Sequence, residues 1–151
     1  TYYNFNSSGW NKDYSNYDKE LTFGSMQRLF NRKLSLVCPR QLDKFSVSTN
    51  NGNGVLTYPV GMITAEEIAY AGGVIWQTNT SYYLYNGVNN WSFSPYSFHI
   101  WYASEFGLYS SGAFGNFHVT GSYGGHPVLS LKQGTVLSSG SGTSADPFIV
   151  K

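Results

Sequence analysis

Three histidines are the first side chains in this sequence that suggest chemistry, because imidazole is a common zinc ligand and general base. They are His99, His118 and His126. No two of them have the i, i+4 spacing of a helical zinc motif. The fold could bring His118 and His126 together, but separate surface histidines are the simpler interpretation. We therefore predict no metal site and no cofactor.

Carboxylates and a single thiol are the other candidates for chemistry. A glycosidase needs two facing acids, yet Glu105 is the only acidic residue between Glu67 and Asp146. A carbohydrate-active enzyme would have to pair Glu105 with a distant acid such as Asp146, and this is the enzymatic alternative. Cys38 is the only cysteine, which excludes an internal disulfide, and a buried, inert thiol is expected. We predict that the chain is not an enzyme.

The composition favours one domain spanning residues 1–151 with an aromatic, weakly charged surface. Aromatic residues make up 18% of the chain and charged residues only 11%, against a usual level of about 25%. The net charge is +1, and no Lys or Arg lies between residues 45 and 131. Nucleic-acid binding needs clustered basic residues, so the sequence excludes it. No apolar segment reaches the roughly 18 residues of a membrane span, so we expect no direct membrane insertion.

Two helices are predicted in the first half of the chain. Apolar residues recur at near-helical spacing over residues 17–37, with a break around Gly24. The second helix begins at Thr64, because Thr64-Ala65-Glu66-Glu67 is a capping box. It ends at Gly72-Gly73, since glycine accepts the backbone conformation that closes a helix.

Short strands separated by turns are predicted for most of the remaining chain. Residues 1–16 are predicted to be a loop, and residues 45–48 alternate as in a short strand. After Gly73, turn residues separate aromatic and aliphatic runs at residues 82–85, 91–95, 106–109, 113–119, 127–131 and 148–150. Two helices followed by short, mostly antiparallel strands and long loops predict an α+β fold.

An ordered set of motifs over residues 55–150 resembles a known family. The motifs are LTYPVGMITAEE at 56–67, AGGV at 71–74, SYYLY at 81–85, WSFSP at 91–95, PVLSLK at 127–132 and the segment 140–150. Together they resemble C-terminal domains of bacterial and phage surface proteins with a C-type-lectin-like fold, which is shared with formylglycine-generating enzymes. In particular they resemble the variable proteins of diversity-generating retroelements, some of which are attached to pilin-like N-termini.

The chain departs from this family's relatives at three points. His126-Pro127-Val128 stands where related sequences usually carry Arg-Pro-Val. The catalytic cysteines of the formylglycine-generating enzymes have no counterpart, so their activity is not carried over. The Glu-Pro-Asn and Trp-Asn-Asp signatures of calcium-dependent lectins are absent, and the resemblance therefore implies no calcium or sugar site.

The resemblance implies a variable binding region over about residues 91–126, in which fixed scaffold residues alternate with diversified ones. The expected scaffold residues are Phe98, Ala103, Phe106, Gly112, Phe114 and Val119. The expected ligand-binding residues are Tyr96, Ser97, His99, Ile100, Trp101, Tyr102, Glu105, Tyr109, Asn116, Phe117, His118 and Tyr123. In this family the retroelement mutates adenines, so that Asn codons come to encode other residues. Trp101 and Glu105 fit that set of residue types less well. The alternative is that all of these are ordinary strand and turn residues.

These observations predict a ligand-binding module, an adhesin or receptor-binding domain with an aromatic face. Tyr, Trp and Phe supply large contact area at a small entropic cost. The expected partner is a protein or glycan on another cell or virus surface. We expect an extracellular or cell-surface location, on a bacterial cell, a pilus or a phage particle, and a fragment that lacks its N-terminal anchor. A structural minor pilin or phage tail subunit is the alternative, and the oligomeric state stays open.

Overall fold

The computed structural model describes residues 2–6, 9–11, 21–38, 41, 44–99, 102–143 and 145–151. Within them, three strands come first: β1 (Tyr2–Asn6), β2 (Gly9–Asn11) and β3 (Leu21–Phe23). The later elements are α1 (Gly24–Phe30), β4 (Val60–Met62), α2 (Ala65–Tyr70), β5 (Asn90–His99), β6 (Tyr102–Leu108), β7 (Phe114–His118), β8 (Gly124–Gly125), β9 (Pro127–Leu129), β10 (Leu137–Ser139) and β11 (Ile149–Val150). Two short helices and mostly antiparallel strands make this an α+β protein, as predicted.

A seven-stranded sheet organises the described residues, with strand order β2-β1-β3-β5-β6-β7 and with β8 paired to β5. Neighbours along this order are antiparallel, whereas β8 runs parallel to β5. Two smaller antiparallel sheets are formed by β4 with β9 and by β10 with β11. The longest strands, β5 and β6, have 10 and 7 residues and lie side by side in the large sheet.

The capping box at the start of α2 is confirmed. Thr64 Oγ1 accepts a hydrogen bond from the Glu67 N–H at 3.3 Å, and Glu67 Oε2 accepts one from the Thr64 N–H at 2.7 Å. The box therefore satisfies N–H groups that have no partner within the helix. The end of α2 is also as predicted, since Gly72 follows it with a φ of 111° that favours glycine.

The first helix is shorter than its sequence pattern indicates. Residues 21–23 form β3, which pairs with β1 and β5, and α1 has only the seven residues Gly24–Phe30. Pairing within the sheet outweighs the helical spacing of this segment. Thr22 is β-branched and Phe23 is aromatic, and both residue types favour strands. Residues 33–37 have no regular structure. The part of the helix prediction that falls on residues 17–20 lies outside the described residues.

Three further sequence predictions are wrong. Strands β1 and β2 lie within the predicted loop of residues 1–16, so strands precede the helices as well as follow them. Residues 82–85 form a turn instead of a strand, in which the Tyr85 N–H donates to the Tyr82 carbonyl at 3.1 Å. Residues 45–48 form a loop instead of a strand, because their neighbours hydrogen-bond locally. The Lys44 carbonyl accepts from the Asn53 N–H at 2.9 Å, which closes the loop around the predicted turn.

The hydrophobic core joins the two helices to one face of the large sheet. Ile68 of α2, Phe106 of β6 and Phe114 of β7 each have 0% exposure. The ring centroids of Phe106 and Phe114 are 5.3 Å apart. The other buried members of the core are Met26, Leu29, Ile63, Ala65, Tyr82 and Leu108.

An ion pair links α1 to α2. Glu66 has only 4% exposure, and its Oε1 accepts hydrogen bonds from the Arg28 Nε, at 2.7 Å, and from the Arg28 Nη2. A buried carboxylate without a cation is costly, so the Arg28 guanidinium is what allows Glu66 to be buried between the helices.

Replacing Thr64 with alanine removes the oxygen that caps α2. We expect it to lower the free energy of unfolding by about 1 kcal/mol, which urea denaturation followed by circular dichroism measures. Thr57→Ala is the matched control, because Thr57 is exposed outside regular structure. An equal loss in both variants would show that the capping box does not stabilise the fold.

Candidate binding site

Strand β6 has one face towards the core and one towards the outside. Phe106 and Leu108 point into the core, with 0% and 3% exposure. Because side chains alternate along a strand, Glu105 and Gly107 lie on the opposite side, which we call the outer face. Phe117 of β7 is the Cα partner of Glu105 and therefore shares this face.

Four aromatic rings, Trp91, Tyr109, Phe117 and Tyr123, pack together on the outer face. We call them the outer aromatic cluster. The Phe117 ring is central, with centroids 4.1 Å from Tyr123, 4.5 Å from Tyr109 and 5.7 Å from Trp91. The Trp91 and Tyr123 rings are also in contact, 5.0 Å apart. Aromatic pairs of this kind contribute about 0.5–1.5 kcal/mol each beyond the burial of their area.

Two glycines allow the rings to lie this close to the backbone. A Cβ atom at Gly107 would be 2.4 Å from the Phe117 ring, and one at Gly121 would be 2.4 Å from the Tyr123 ring. Both distances are far inside the optimal carbon–carbon separation of about 3.5–4.0 Å. Any side chain at either position would therefore displace a ring of the cluster.

Parallel pairing of β8 with β5 places Tyr123 beside the start of β5. Gly124, which follows Tyr123, pairs with Asn90, which precedes Trp91. Asn90 has 4% exposure, and its side-chain amide donates to the Val88 carbonyl at 2.9 Å. This buried polar contact fixes the chain next to the Trp91 ring.

Tyr109 is held by its hydroxyl group as well as by its ring. The hydroxyl donates to the Asn116 carbonyl at 2.5 Å. Burial raises the pKa of Tyr109, the hydrogen bond to Asn116 lowers it, and the nearby Tyr123 raises it. Because the net direction is upwards, the hydroxyl stays protonated and remains a donor at neutral pH.

An open hollow of about 280 Å³ lies beside the outer aromatic cluster and is lined by Met62, Trp91, Glu105, Val119 and Gly121. Glu105 is half-buried there, and burial raises the pKa of its carboxyl group. Within the part of the chain that the structure describes, no cation pairs with this carboxylate and no group donates a hydrogen bond to it. The hollow is therefore mainly apolar and carries one uncompensated acid.

The predicted ligand-binding residues do not all face outwards. His118 and Tyr123 are exposed, whereas half-burial is found for Tyr96, Tyr102, Glu105, Tyr109 and Asn116. Ser97 and Phe117 have 1% and 7% exposure, so the expectation that they face water is wrong. Ser97 lies opposite Ser104 between β5 and β6, and Phe117 is covered by the rest of the outer aromatic cluster.

Three predicted residues at the β5–β6 connection receive no side-chain description. Ile100 and Trp101 lie outside the described residues. His99 is placed only by its backbone, as the Cα partner of Tyr102. Their proposed role in binding stays a prediction.

The predicted residues that the structure describes fall into separate groups. Glu105, Tyr109, Phe117 and Tyr123 belong to the outer face. The Tyr102 and His118 rings stack 5.0 Å apart on the core-facing side of the sheet, where β6 begins and β7 ends. Tyr96 packs against the core, with its ring centroid 5.0 Å from that of Phe106. The set thus provides one main cluster and one smaller aromatic pair.

Three of the expected scaffold residues, Phe106, Gly112 and Phe114, are buried. Phe98 and Ala103 are half-buried. Val119 does not belong to the scaffold, because it is 47% exposed and lines the hollow.

Besides Val119, sequence reasoning did not assign three lining residues, Met62, Trp91 and Gly121, to the site. Trp91 stands in an apolar strand run, which is equally typical of a core position. Met62 comes from β4, whose pairing with β9 brings it to the site from a distant part of the chain. Gly121 alone carried a local signal, as a glycine two residues before a predicted binding tyrosine.

The other candidates for chemistry do not converge. His118 stacks on Tyr102, whereas His126 Nε2 lies 3.4 Å from the side-chain nitrogen of Asn86, and burial lowers the pKa of His126. No group of three His, Cys, Asp or Glu among the described residues could hold a metal ion. Cys38, expected to be buried, is exposed, because the segment after α1 runs along the surface.

In comparisons with known proteins, no family model, no curated protein and no solved structure matches the chain. Among the residues described, no helix has the length and apolar character that crossing a membrane requires. The functional inference therefore depends on the site itself.

We expect Glu105→Gln to raise the melting temperature slightly at pH 7 and to leave it unchanged at about pH 3. The raised pKa means that the folded chain holds this proton more tightly than the unfolded chain. The stabilisation from the protonated group is complete at low pH and is lost as pH rises through the folded-state pKa. Thermal unfolding at the two pH values measures the difference.

Asp146→Asn is the control, because it removes the same charge from an exposed position outside the hollow. A lower melting temperature for Glu105→Gln at pH 7 would mean that the ionised carboxylate stabilises the fold, contrary to the unpaired position described above.

Proposed function

We propose that this chain is a non-enzymatic binding module that contacts its partner through the outer face of the large sheet. One observation carries the proposal: the outer aromatic cluster lies beside an open hollow, with Tyr123 38% exposed. Ordered aromatic side chains next to a concavity provide the anchors and the pocket that binding interfaces use.

The physical chemistry of this face suits recognition by contact. Large, rigid rings supply contact area at a low entropic cost, and tyrosine adds a hydroxyl group that hydrogen-bonds. The rings are also held in place before binding, by each other and by the two close glycine contacts at Gly107 and Gly121. Such preorganisation reduces the entropy lost on association.

The proposal includes a C-type-lectin-like fold and descent from the variable proteins of diversity-generating retroelements. The ordered motifs over residues 55–150 support it, and four of the five residues that line the hollow lie within the region 91–126. The partner is a protein or glycan on another cell or virus surface. The module is displayed at a bacterial cell surface, on a pilus or on a phage particle.

The absence of a second acid from the hollow lining argues against a glycosidase. Glu105 is the only carboxylate among the lining residues, and a glycosidase needs two flanking the scissile bond. Asp146, the distant acid considered from sequence, accepts a hydrogen bond from the Ser141 N–H at 2.8 Å in an exposed turn. We therefore favour binding over catalysis.

A structural subunit of a pilus or tail is the second candidate, because apolar side chains are exposed near the C-terminal end. Leu137, Phe148 and Ile149 are each more than half exposed on or beside the β10–β11 pair. Concentration-dependent self-association in sedimentation velocity would favour this candidate. A monomer at all concentrations would favour the binding module.

Tyr123→Ala and Tyr102→Ala test the two accessible aromatic groups. We expect Tyr123→Ala to weaken binding of the labelled chain to intact bacterial cells by about tenfold or more, as at an interface hot spot, and Tyr102→Ala, on the opposite face, to leave binding nearly unchanged. Neither should lower the melting temperature as Phe106→Ala does, since burial of Phe106 is complete. Flow cytometry and thermal unfolding measure the two properties.

Tyr58→Ala is the matched control for that experiment, because Tyr58 is 74% exposed and lies outside both groups. Equal binding by all three tyrosine variants, or a loss of stability in both test variants comparable with that of Phe106→Ala, would contradict the proposed binding face.

The encoding genome tests the retroelement part of the proposal separately. We expect a near-copy of the segment that encodes about residues 90–130, differing mainly at adenines, beside a reverse-transcriptase gene. A genome without such a copy would remove the diversified receptor and leave a binding module of fixed specificity.

A further inference from the structure

The charge of the hollow is unusual for this part of the chain. Glu105 contributes the only charged side chain to a lining that otherwise consists of Met62, Trp91, Val119 and Gly121. The carboxylate is half-buried, and the rest of the lining offers it an indole, a thioether and aliphatic carbon. A ligand for this hollow must therefore satisfy one negative charge and much apolar surface at once.

Among the residues that the structure describes, no Lys or Arg neutralises this carboxylate. The sequence has no Lys or Arg from residue 45 to residue 131, which is the segment that builds the hollow. Glu66, the more deeply buried acid, shows the contrasting arrangement, because Arg28 binds it through Nε and Nη2. Glu105 has no such partner among the described residues.

The aromatic side of the hollow adds a second preference for positive charge. The face of an indole ring attracts cations more strongly than the rings of Tyr or Phe do. Trp91 lines the hollow together with Glu105, and its own ring is fixed by contacts with Phe117 and Tyr123 at 5.7 and 5.0 Å. Met62 and Val119 can contact the aliphatic stem of a long basic side chain, whose charged end remains hydrated or paired.

We propose that the hollow receives a lysine or arginine side chain of a partner protein, with the cationic group at Glu105 and Trp91 and the stem against Met62 and Val119. This inference rests on the proposed function and specifies its ligand as a basic residue on a protein surface. Burial removes water from the Glu105 carboxylate and raises its pKa, and a bound cation would replace part of the solvation that is lost.

A neutral sugar is the competing occupant of the same hollow. Its hydroxyl groups could donate to Glu105, and its apolar face could stack on Trp91. Sugar binding would not require a positive charge, however, so an uncharged analogue of lysine and a simple hexose separate the two occupants experimentally.

Nuclear magnetic resonance titration of the full 151-residue chain tests the proposal. The probe is N-acetyl-lysine methylamide, the uncharged analogue is N-acetyl-norleucine methylamide, and glucose represents a neutral sugar. We expect saturable shifts of the Trp91 indole N–H and the Val119 methyl groups with lysine, at a Kd of about 10–100 mM. The norleucine analogue and glucose should bind more weakly. A Trp91→Phe variant assigns the indole signal.

Glu105→Gln should weaken the lysine probe by about two- to fivefold, as expected for one partly exposed ion pair. Asp146→Asn, which changes the net charge equally outside the hollow, should leave the affinity unchanged. Thermal unfolding of each variant shows whether the fold is retained. Equal affinities for lysine and norleucine, stronger binding of glucose, or no effect of Glu105→Gln in a folded chain would overturn the proposal.

The proposed binding function and the proposed basic-residue ligand can be contradicted separately. If cells bind the chain in a Tyr123-dependent manner but lysine does not shift Trp91, the basic-residue ligand is wrong and the binding module stands. If lysine binds at the hollow as expected but no cell surface is bound, the ligand preference stands and the proposed function is wrong.

Discussion

The register of strand β6 is the constraint on which the site depends. Phe106 and Leu108 enter the core, and the same alternation places Glu105 and Gly107 on the outer face. A shift of one residue would bury Glu105 without a cation and expose a phenylalanine, so burial of the core strongly specifies the register. The orientation of the outer face is therefore a consequence of core packing.

The neighbouring elements hold this register from several directions. The entry to α2 is joined to β5, because the Phe93 N–H donates to the Ile63 carbonyl at 2.8 Å and the Ala65 N–H donates to Ser94 Oγ at 2.9 Å. The capping box fixes the helix that begins there, and its Ile68 fills the core beneath the sheet. The main hydrophobic core thus lies on one side of the sheet, and the outer aromatic cluster and Glu105 lie on the other.

The sequence predicts the features whose cause is local and misses those set by distant pairing. The capping box at Thr64 and the glycine that ends α2 need only their own neighbours, and both were predicted correctly. Strand β3 depends on pairing with β1 and β5, which no local spacing reveals. Tyr96 and Ser97 were assigned to the binding set by residue type, which does not specify the face of a strand. The register of β5 with β6 shifts between Trp91 and Pro95 and again between Pro95 and Ser97, and irregularities of this kind change which residue faces the core. The hollow could not be predicted either, because Met62 lines it and no sequence pattern near residues 91–126 indicates Met62.

The central claim is that the aromatic residues of the sheet divide into a buried set and a set left to solvent on the outer face. Hydroxyl-radical footprinting of the free chain, read by mass spectrometry, tests this division directly because it labels side chains that water reaches. We expect Trp91 and Tyr123 to be oxidised readily, and Phe106 and Phe114, both with 0% exposure, to remain unmodified until the chain unfolds. Protection of Trp91 and Tyr123 together with oxidation of Phe106 would contradict the claim.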